Sequence, residues 1–546
     1  MLSIPELKLG FNDAENYQRK ENKELFNSIF VKNAFLDRLL DPSTFFLIGE
    51  KGTGKTAYAV FLSNNAYKNN LAQIKYIRET DYKKFVFLKT HKHLELSDYN
   101  SIWKVIILLL LAKSVQKKEL DYNPFSKNRK LKLILEAVDE YYINAFSPEI
   151  ISVLNFVENS KVAAEIISKH YKLGGEESIN ASFQESRFQI NLLYIQSKLE
   201  KAINDLKIKQ NHLLFIDGID IRPGLIPYKD YLNCVKGLSN AIWELNNDFF
   251  ANIKDSKGRF RAILLVRPDI FNSIGLQNLT NKVRDNSVFL DWRTTYPNYR
   301  NSLLFELADK LLAAQQKENF DLGESWDHYF PWKSRPTSVY RDPGPSFYEF
   351  LRISYSRPRD IVTIIQILQE EYIEKQKTTK FFPMKLIENH DFHNNYSEYL
   401  MGGIKDQLSF YYNKEDYDMF LKFFSFLECK SLFDYDEYID IYSRFSQYII
   451  DNIDYMPKFI ETSDTFLQFL YDTNIICYTD DFEYESFYRW CYRERSPSNI
   501  SPKIKPNTRY LIHNGLHKAL NVGKQTLRSI RRSSGELVEV GAGSKP

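Results

Sequence analysis

The chain has 546 residues, 43% of them hydrophobic and 26% charged, with a formal net charge of +3, enough to bury more than one core and to divide into several domains. Its four cysteines, Cys234, Cys429, Cys477 and Cys491, stand apart without a CxxC spacing or a paired histidine, so neither a zinc site nor a disulfide framework is indicated and a reducing cytoplasm suits the chain. Residues 1–8 lack a basic stretch followed by an apolar run, and the most apolar segment, Val105 to Ala112, falls far short of the ~20 residues that cross a bilayer, so no membrane contact is expected.

Residues 15–40 mix acidic, basic and apolar positions at helical spacing, which predicts a helix that helps shape a base pocket ahead of the first strand. Residues 45–60 then read as an apolar strand, a turn Gly49-Glu50-Lys51-Gly52-Thr53-Gly54-Lys55-Thr56 and a helical stretch. This is a P-loop in the context it requires. The glycines let backbone N–H groups turn inward around phosphate oxygens, and the following helix adds its positive end. Lys55 reaches the β- and γ-phosphates, and Thr56 offers a hydroxyl to Mg²⁺. The ligands implied are ATP and Mg²⁺.

Phe85-Val86-Phe87-Leu88, bounded by lysines, fits a second buried strand. From about 98 to 208 the pattern is helical, with breaks near Pro124 and at Gly174-Gly175, and Val105 to Ala112 read as a buried helix within this insertion. The segment is a candidate surface for partners. An apolar strand follows at 211–216 and ends in Asp217-Gly218-Ile219-Asp220. Asp217 is placed to hold Mg²⁺. Gly218 stands where many hydrolases carry Glu, so polarising water falls to Asp220, which is equally readable as a turn or helix-capping carboxylate. A third strand, 261–266, closes on Arg267-Pro268-Asp269. Arg267 either senses the γ-phosphate or pairs with Asp217, Asp220 or Asp269.

Together, Gly49–Thr56, Asp217-Gly218-Ile219-Asp220 and a strand ending in Arg267-Pro268 resemble the signal-transduction P-loop ATPases of the NACHT (STAND) kind, relatives of the AAA+ ATPases. More narrowly, residues 217–223, 265–271, Asp285-Asn286-Ser287-Val288 with Leu290-Asp291-Trp292, and Tyr510-Leu511-Ile512-His513-Asn514-Gly515-Leu516 resemble a bacterial P-loop ATPase family met in phage-defence loci. The resemblance spans nearly the whole chain. It implies a nucleotide-driven switch in an antiphage defence module that acts with a protein partner or neighbouring effector, as a homo- or hetero-oligomer. The departure is distance: 162 positions separate Lys55 from Asp217, so a large insertion lies between the motifs.

Residues 298–318 are strongly helical, and 335–345 read as a loop. Tyr355-Ser356-Arg357-Pro358-Arg359-Asp360 opens a helix with proline in its first turn. A helical lid in AAA-like ATPases carries a basic residue at such a helix start. Arg357 and Arg359 are the lid candidates for touching nucleotide, the alternative being solvent-facing arginines or a pair with Asp360.

Between Glu415 and Glu485 seventeen acids face four bases, a formal −13, whereas Arg489 to Arg532 holds eleven bases and one acid, a formal +10. Helices at 419–429 and 464–472 and apolar strands near 475–478 and 487–490 suggest a winged-helix-like domain. Residues 462–472, its would-be recognition helix, carry acids and no bases, so phosphates would repel it, and the domain is assigned to intramolecular gating. The basic stretch either folds back on the acidic domain, which adjacency in sequence favours, or follows a nucleic-acid backbone through Lys503, Lys505, Arg509, Lys518, Lys524, Arg528, Arg531 and Arg532. The tail from Ser533 is small and polar and is expected to be disordered. Aromatic residues, 15% of the chain, are spread along it and fit core packing better than base stacking.

The fold expected is α/β, a parallel-sheet P-loop NTPase core of AAA+/STAND-like kind with helical additions. Its parts are an N-terminal helical segment (1–40), the core with its insertion (41–295), a helical lid (296–405), an acidic winged-helix-like domain (406–500) and a basic C-terminal segment (501–546). No linear nuclease, protease or deaminase motif accompanies them. The rival functions are a nucleic-acid-dependent ATPase and a non-hydrolysing ATP-bound scaffold.

Overall fold

A computed structural model describes residues 1–77, 96–116, 119–143, 185–222, 226–276, 278–336, 342–452, 455–482 and 485–523. Five strands form a parallel sheet: β1 (Phe46–Ile48), β2 (Asn70–Tyr76), β3 (Asn211–Asp217), β4 (Phe260–Val266) and β5 (Ser287–Phe289), in the order β2-β3-β4-β1-β5. Every residue of β1 and β4 is buried, as are His212 to Asp217 of β3. Such continuous apolar runs are what a sheet covered on both faces demands. Leu47, Phe215, Ile263 and Leu265 face one cluster, built with the helices Lys55–Asn64, Leu303–Ala313 and Pro358–Glu374. Phe46, Ile48, Leu214, Ile216 and Leu264 face the other, built with Leu96–Ser114 and Tyr228–Glu244. The chain is therefore α/β.

Strand β1 lies between β4 and β5, with Leu47 opposite Leu265 on one side and Val288 on the other. Strand β4 in turn separates β1 from β3. The loop after β1 thus leaves the sheet at a point where neighbouring connections diverge, the place where open α/β sheets gather ligands.

Several expectations are refined. Residues 15–40 form short turns and two seven-residue helices, Lys23–Ile29 and Ala34–Leu40, instead of one helix. The chain breaks at Phe30–Asn33 because the Asn33 side chain accepts from the Phe35 and Leu36 amides and starts the second helix afresh. The strand expected at 85–88 lies outside the described residues, whereas Asn70–Tyr76, a half-buried edge strand whose polar residues Asn70, Gln73 and Lys75 do not alternate, had no clear sequence signal. The insertion is helical where described, as Leu96–Ser114, Pro124–Ile143 and Glu185–Asn204; residues 144–184, with Gly174-Gly175, lie outside. Val105 to Leu109, Leu111 and Ala112 are buried within it. The helical run placed at 298–318 is a helix at Leu303–Ala313 preceded by a single turn, and the lid helix does begin at Pro358.

Past the helix His390–Leu408, which crosses the boundary drawn at 405, come the helices Lys414–Phe423, Tyr435–Asn452 and Ser463–Asp472. They accompany an antiparallel sheet of β6 (Leu432–Asp434), β7 (Ile476–Phe482), β8 (Glu485–Trp490) and β9 (Arg509–Ile512), in the order β6-β9-β7-β8. Strand β9 comes from the segment taken as a separate basic extension, so the boundary at 500 falls inside this sheet. Only four residues long and flanked by Lys, Pro and Asn, it gives little periodicity to detect. The acidic helix Ser463–Asp472 buries Phe466, Leu467, Leu470 and Tyr471. Among the described residues no helix is long and apolar enough to cross a membrane.

Candidate functional site

The glycine-rich loop turns tightly after β1. Gly52 and Gly54 hold φ of +90° and +93°, a backbone region open to glycine, and Gly54 caps the helix Lys55–Asn64 in that conformation. The loop's outward carbonyls are met by donors from elsewhere. Trp292 Nε1–H donates to Thr53 O at 2.9 Å, Arg357 Nη1–H to Lys51 O at 3.0 Å and the Arg359 amide to Gly52 O at 3.2 Å. With those carbonyls engaged from outside, the loop is free to offer amides inward. Such a loop with a helix N-terminus behind it can bind phosphate-like anions.

Lys55, buried to 6% exposure, donates from Nζ to Gly49 O at 2.8 Å and Glu50 O at 3.4 Å, and lies 3.6 Å from Asp220 Oδ2. Thr56 Oγ1–H donates to Asp217 Oδ2 at 2.6 Å. The loop and the end of β3, 162 residues apart in sequence, therefore converge. Burial pushes the Asp217 carboxyl up; the Thr56 hydroxyl and Lys55 oppose the rise and Asp220 adds to it. Asp220 Oδ1 is buried without a hydrogen-bond partner. A threonine hydroxyl beside one strand-end carboxylate, with a second carboxylate nearby, is the hard-oxygen set that suits Mg²⁺, so Thr56 and Asp217 could hold that ion.

These groups open on a cleft of about 390 Å³. Gly52, Gly54, Lys55, Thr56, Asp217 and Asp220 form one end. Phe11, Tyr17, Phe26, Phe30, Tyr58 and Leu311 line the other, an apolar and aromatic chamber suited to a flat ring. The N-terminal segment does shape this chamber.

A scan against protein-family models finds no match for the chain, and a search among curated proteins finds none at a significant level.

The remaining predicted residues divide. Arg267, 1% exposed, lines the cleft, yet Nε–H and Nη2–H donate to the two oxygens of Asp269 at 3.0 and 2.6 Å. Of the carboxylate pairings open for it, the one with Asp269 is adopted. Burial alone would raise the Asp269 carboxyl, but the Arg267 guanidinium, then the Arg495 charge and the Tyr411 hydroxyl, at 2.9 Å, hold it down at about 2. Arg357 donates from Nε and Nη2 to Asp360, which is fully buried, and is not among the residues lining the cleft. Arg359 lines the cleft and sends Nε–H to Asn12 O at 3.0 Å. Glu50 pairs with Arg495, and Lys51 with Asp406.

Gly218 has a backbone reason. Its φ is +91°, and a Cβ there would lie 2.4 Å from Ile77 O, so Glu cannot occupy this position without moving β2. Sequence reasoning missed Asp406, Tyr411 and Arg495 altogether, and no motif marks them. Trp292 entered within the resemblance and at the end of an apolar segment, with no role given to it.

Proposed function

We propose that this chain is an Mg²⁺-dependent ATP-binding switch that hydrolyses ATP. The observation that carries the reading is the convergence of Lys55, Thr56 and Asp217, with Thr56 Oγ1 at 2.6 Å from Asp217, at the mouth of a cleft whose far end is aromatic. ATP would place its phosphates in the loop, held by the amides of Gly52 to Thr56 and by Lys55, and its base among Phe11, Tyr17 and Phe30. When bound, Mg²⁺ neutralises charge on the phosphates. Asp220, with one oxygen unpartnered, orients and accepts a proton from the attacking water, since Gly218 cannot. The helical lid and the C-terminal sheet, which resembles a winged helix with one strand added, then take the arrangement that the bound nucleotide favours. From the resemblance to phage-defence ATPases, the biological output is an antiphage response relayed to a protein partner or neighbouring effector.

The nucleic-acid reading is weaker. Lys505 pairs with Asp480 and Arg509 with Asp481, which supports folding back of the basic stretch, while Lys524, Arg528, Arg531 and Arg532 lie outside the described residues. Steady-state ATP turnover by the purified chain, alone and with single-stranded DNA, duplex DNA or RNA, tests all three readings against a Lys55→Ala blank. Basal turnover indifferent to nucleic acid supports the switch. Stimulation by one nucleic acid would replace it with the nucleic-acid-dependent reading, and tight binding without turnover with the scaffold.

A further inference from the structure

Glu50 occupies the second position of the glycine-rich loop, where the turn itself dictates no side chain. Its carboxylate is nevertheless held by a residue 445 positions away. Arg495 follows the short helix Cys491–Glu494 at the end of β8, and the side chains of Arg495 and Glu50 are 4% and 16% exposed. Arg495 Nη2–H also donates to Asp472 O at 3.2 Å, and Nε is buried without a partner. Among the described residues Glu50 is the one carboxylate in direct contact with this guanidinium. The buried guanidinium, whose charge Asp269 and Asp472 also feel, holds Glu50 firmly, because a buried arginine left without its carboxylate is costly. A second tie runs beside it: Arg293, next to the Trp292 that binds Thr53 O, donates to the carbonyl of Arg493.

We propose that Arg495 is a positioning residue of the ATP site, supplied by the C-terminal sheet. Through Glu50 it fixes the loop that carries Lys55, so phosphate affinity depends on the sheet being docked. By reciprocity a bound nucleotide stabilises the docked sheet by the same factor. Loss of Arg495 frees the Glu50 carboxylate beside the incoming phosphates and loosens the turn. The inference deepens the ATP reading and rests on it for its affinity readout.

The test uses the full chain with Arg495→Met, Glu50→Gln and the exchange Glu50→Arg/Arg495→Glu. Affinity for a fluorescent ATP analogue with Mg²⁺ is followed by anisotropy, and amide hydrogen exchange across 49–56 is followed without nucleotide. Arg495→Met is expected to bind at least tenfold more weakly and to exchange faster in the loop, and the exchange variant to recover part of both. Glu50→Gln, which changes one partly exposed group, carries the exchange measurement should Arg495→Met fail to fold. Folded variants with wild-type loop exchange and wild-type affinity would overturn the proposal. If the wild-type chain binds no nucleotide, the ATP reading falls, while faster loop exchange in the variants still sustains the positioning role.

Discussion

Lys55→Ala removes the group on which the ATP reading turns. The side chain is 7% exposed and its ammonium touches Gly49 O, Glu50 O and Asp220. On ATP binding, the ammonium exchanges carbonyls for phosphate oxygens. A hydrogen bond to a charged group contributes about 1.5–3 kcal/mol. Lys55 would serve two phosphates, so its removal is expected to cost about 3–6 kcal/mol, or roughly two to four orders of magnitude in affinity. The fold should survive, because Ala keeps the helix start after Gly54 and the loop carbonyls nearby retain Trp292, Arg357 and Arg359 as donors. Calorimetric titration with MgATP reads the affinity. Thermal unfolding reads the stabilisation by ligand, about 2.7 kcal/mol for the wild type at a hundredfold excess over Kd and close to none for the variant. A folded Lys55→Ala protein with wild-type affinity would refute the argument that this loop is the phosphate site.

Arg267→Ala should destabilise the fold by about 3–5 kcal/mol in urea titration, because it leaves Asp269 buried without its cation; the double change Arg267→Ala/Asp269→Ala should cost less than the sum of the single ones. Gly218→Ala is expected to lose about 1–3 kcal/mol through the positive φ and the Ile77 carbonyl, measured as a lower urea midpoint at unchanged slope. His513 is buried, and burial lowers its pKa to about 3 from 6.5. A folded pKa below the unfolded one gives stability that is fully present above pH 6.5 and drains as pH falls toward 3. Acid melts should therefore show this loss in the wild type and a smaller one in His513→Gln.

How legible this was in the sequence depends on the range of the forces involved. The loop, the helix after it and the strand ending in Asp217 are local patterns whose residue types answer to a tight glycine turn, a helix start and sheet burial, and they stand where expected. The lid helix was equally readable, since Pro358 at its first turn is a local device. What failed to show was pairing across distance. Nothing in the residues around Arg495 points to Glu50, and nothing around Tyr411 points to Asp269, whereas the pairing of Arg357 with Asp360, three residues on, was one of the local alternatives the sequence offered. Strand β9 was hidden for a related reason: its four residues gain their stability from β6 and β7 on either side, not from any pattern of their own.

The two kinds of contact on the loop suggest how its parts share the work. Carbonyls of Lys51, Gly52 and Thr53 are held by Arg357, Arg359 and Trp292, from the lid and from the segment after β5. The side chains of Glu50 and Lys51 are held by Arg495 and Asp406. The carbonyl contacts set which way the amides face, which on the proposed reading is what phosphate binding requires. The side-chain contacts tie the loop to the helix His390–Leu408 and to the C-terminal sheet. A phosphate that shifted the loop by a fraction of an ångström would therefore pull on both outer elements at once, on the sheet through the buried Arg495, where a lost partner is costly, and on the helix through the more exposed pair of Lys51 with Asp406. Exposed pairs such as Lys505 with Asp480 are screened and worth little, so they can follow such a movement but not drive it. On the proposed reading such a switch would need no long chain of intermediaries, because the lid, the helix His390–Leu408 and the C-terminal sheet already touch the loop.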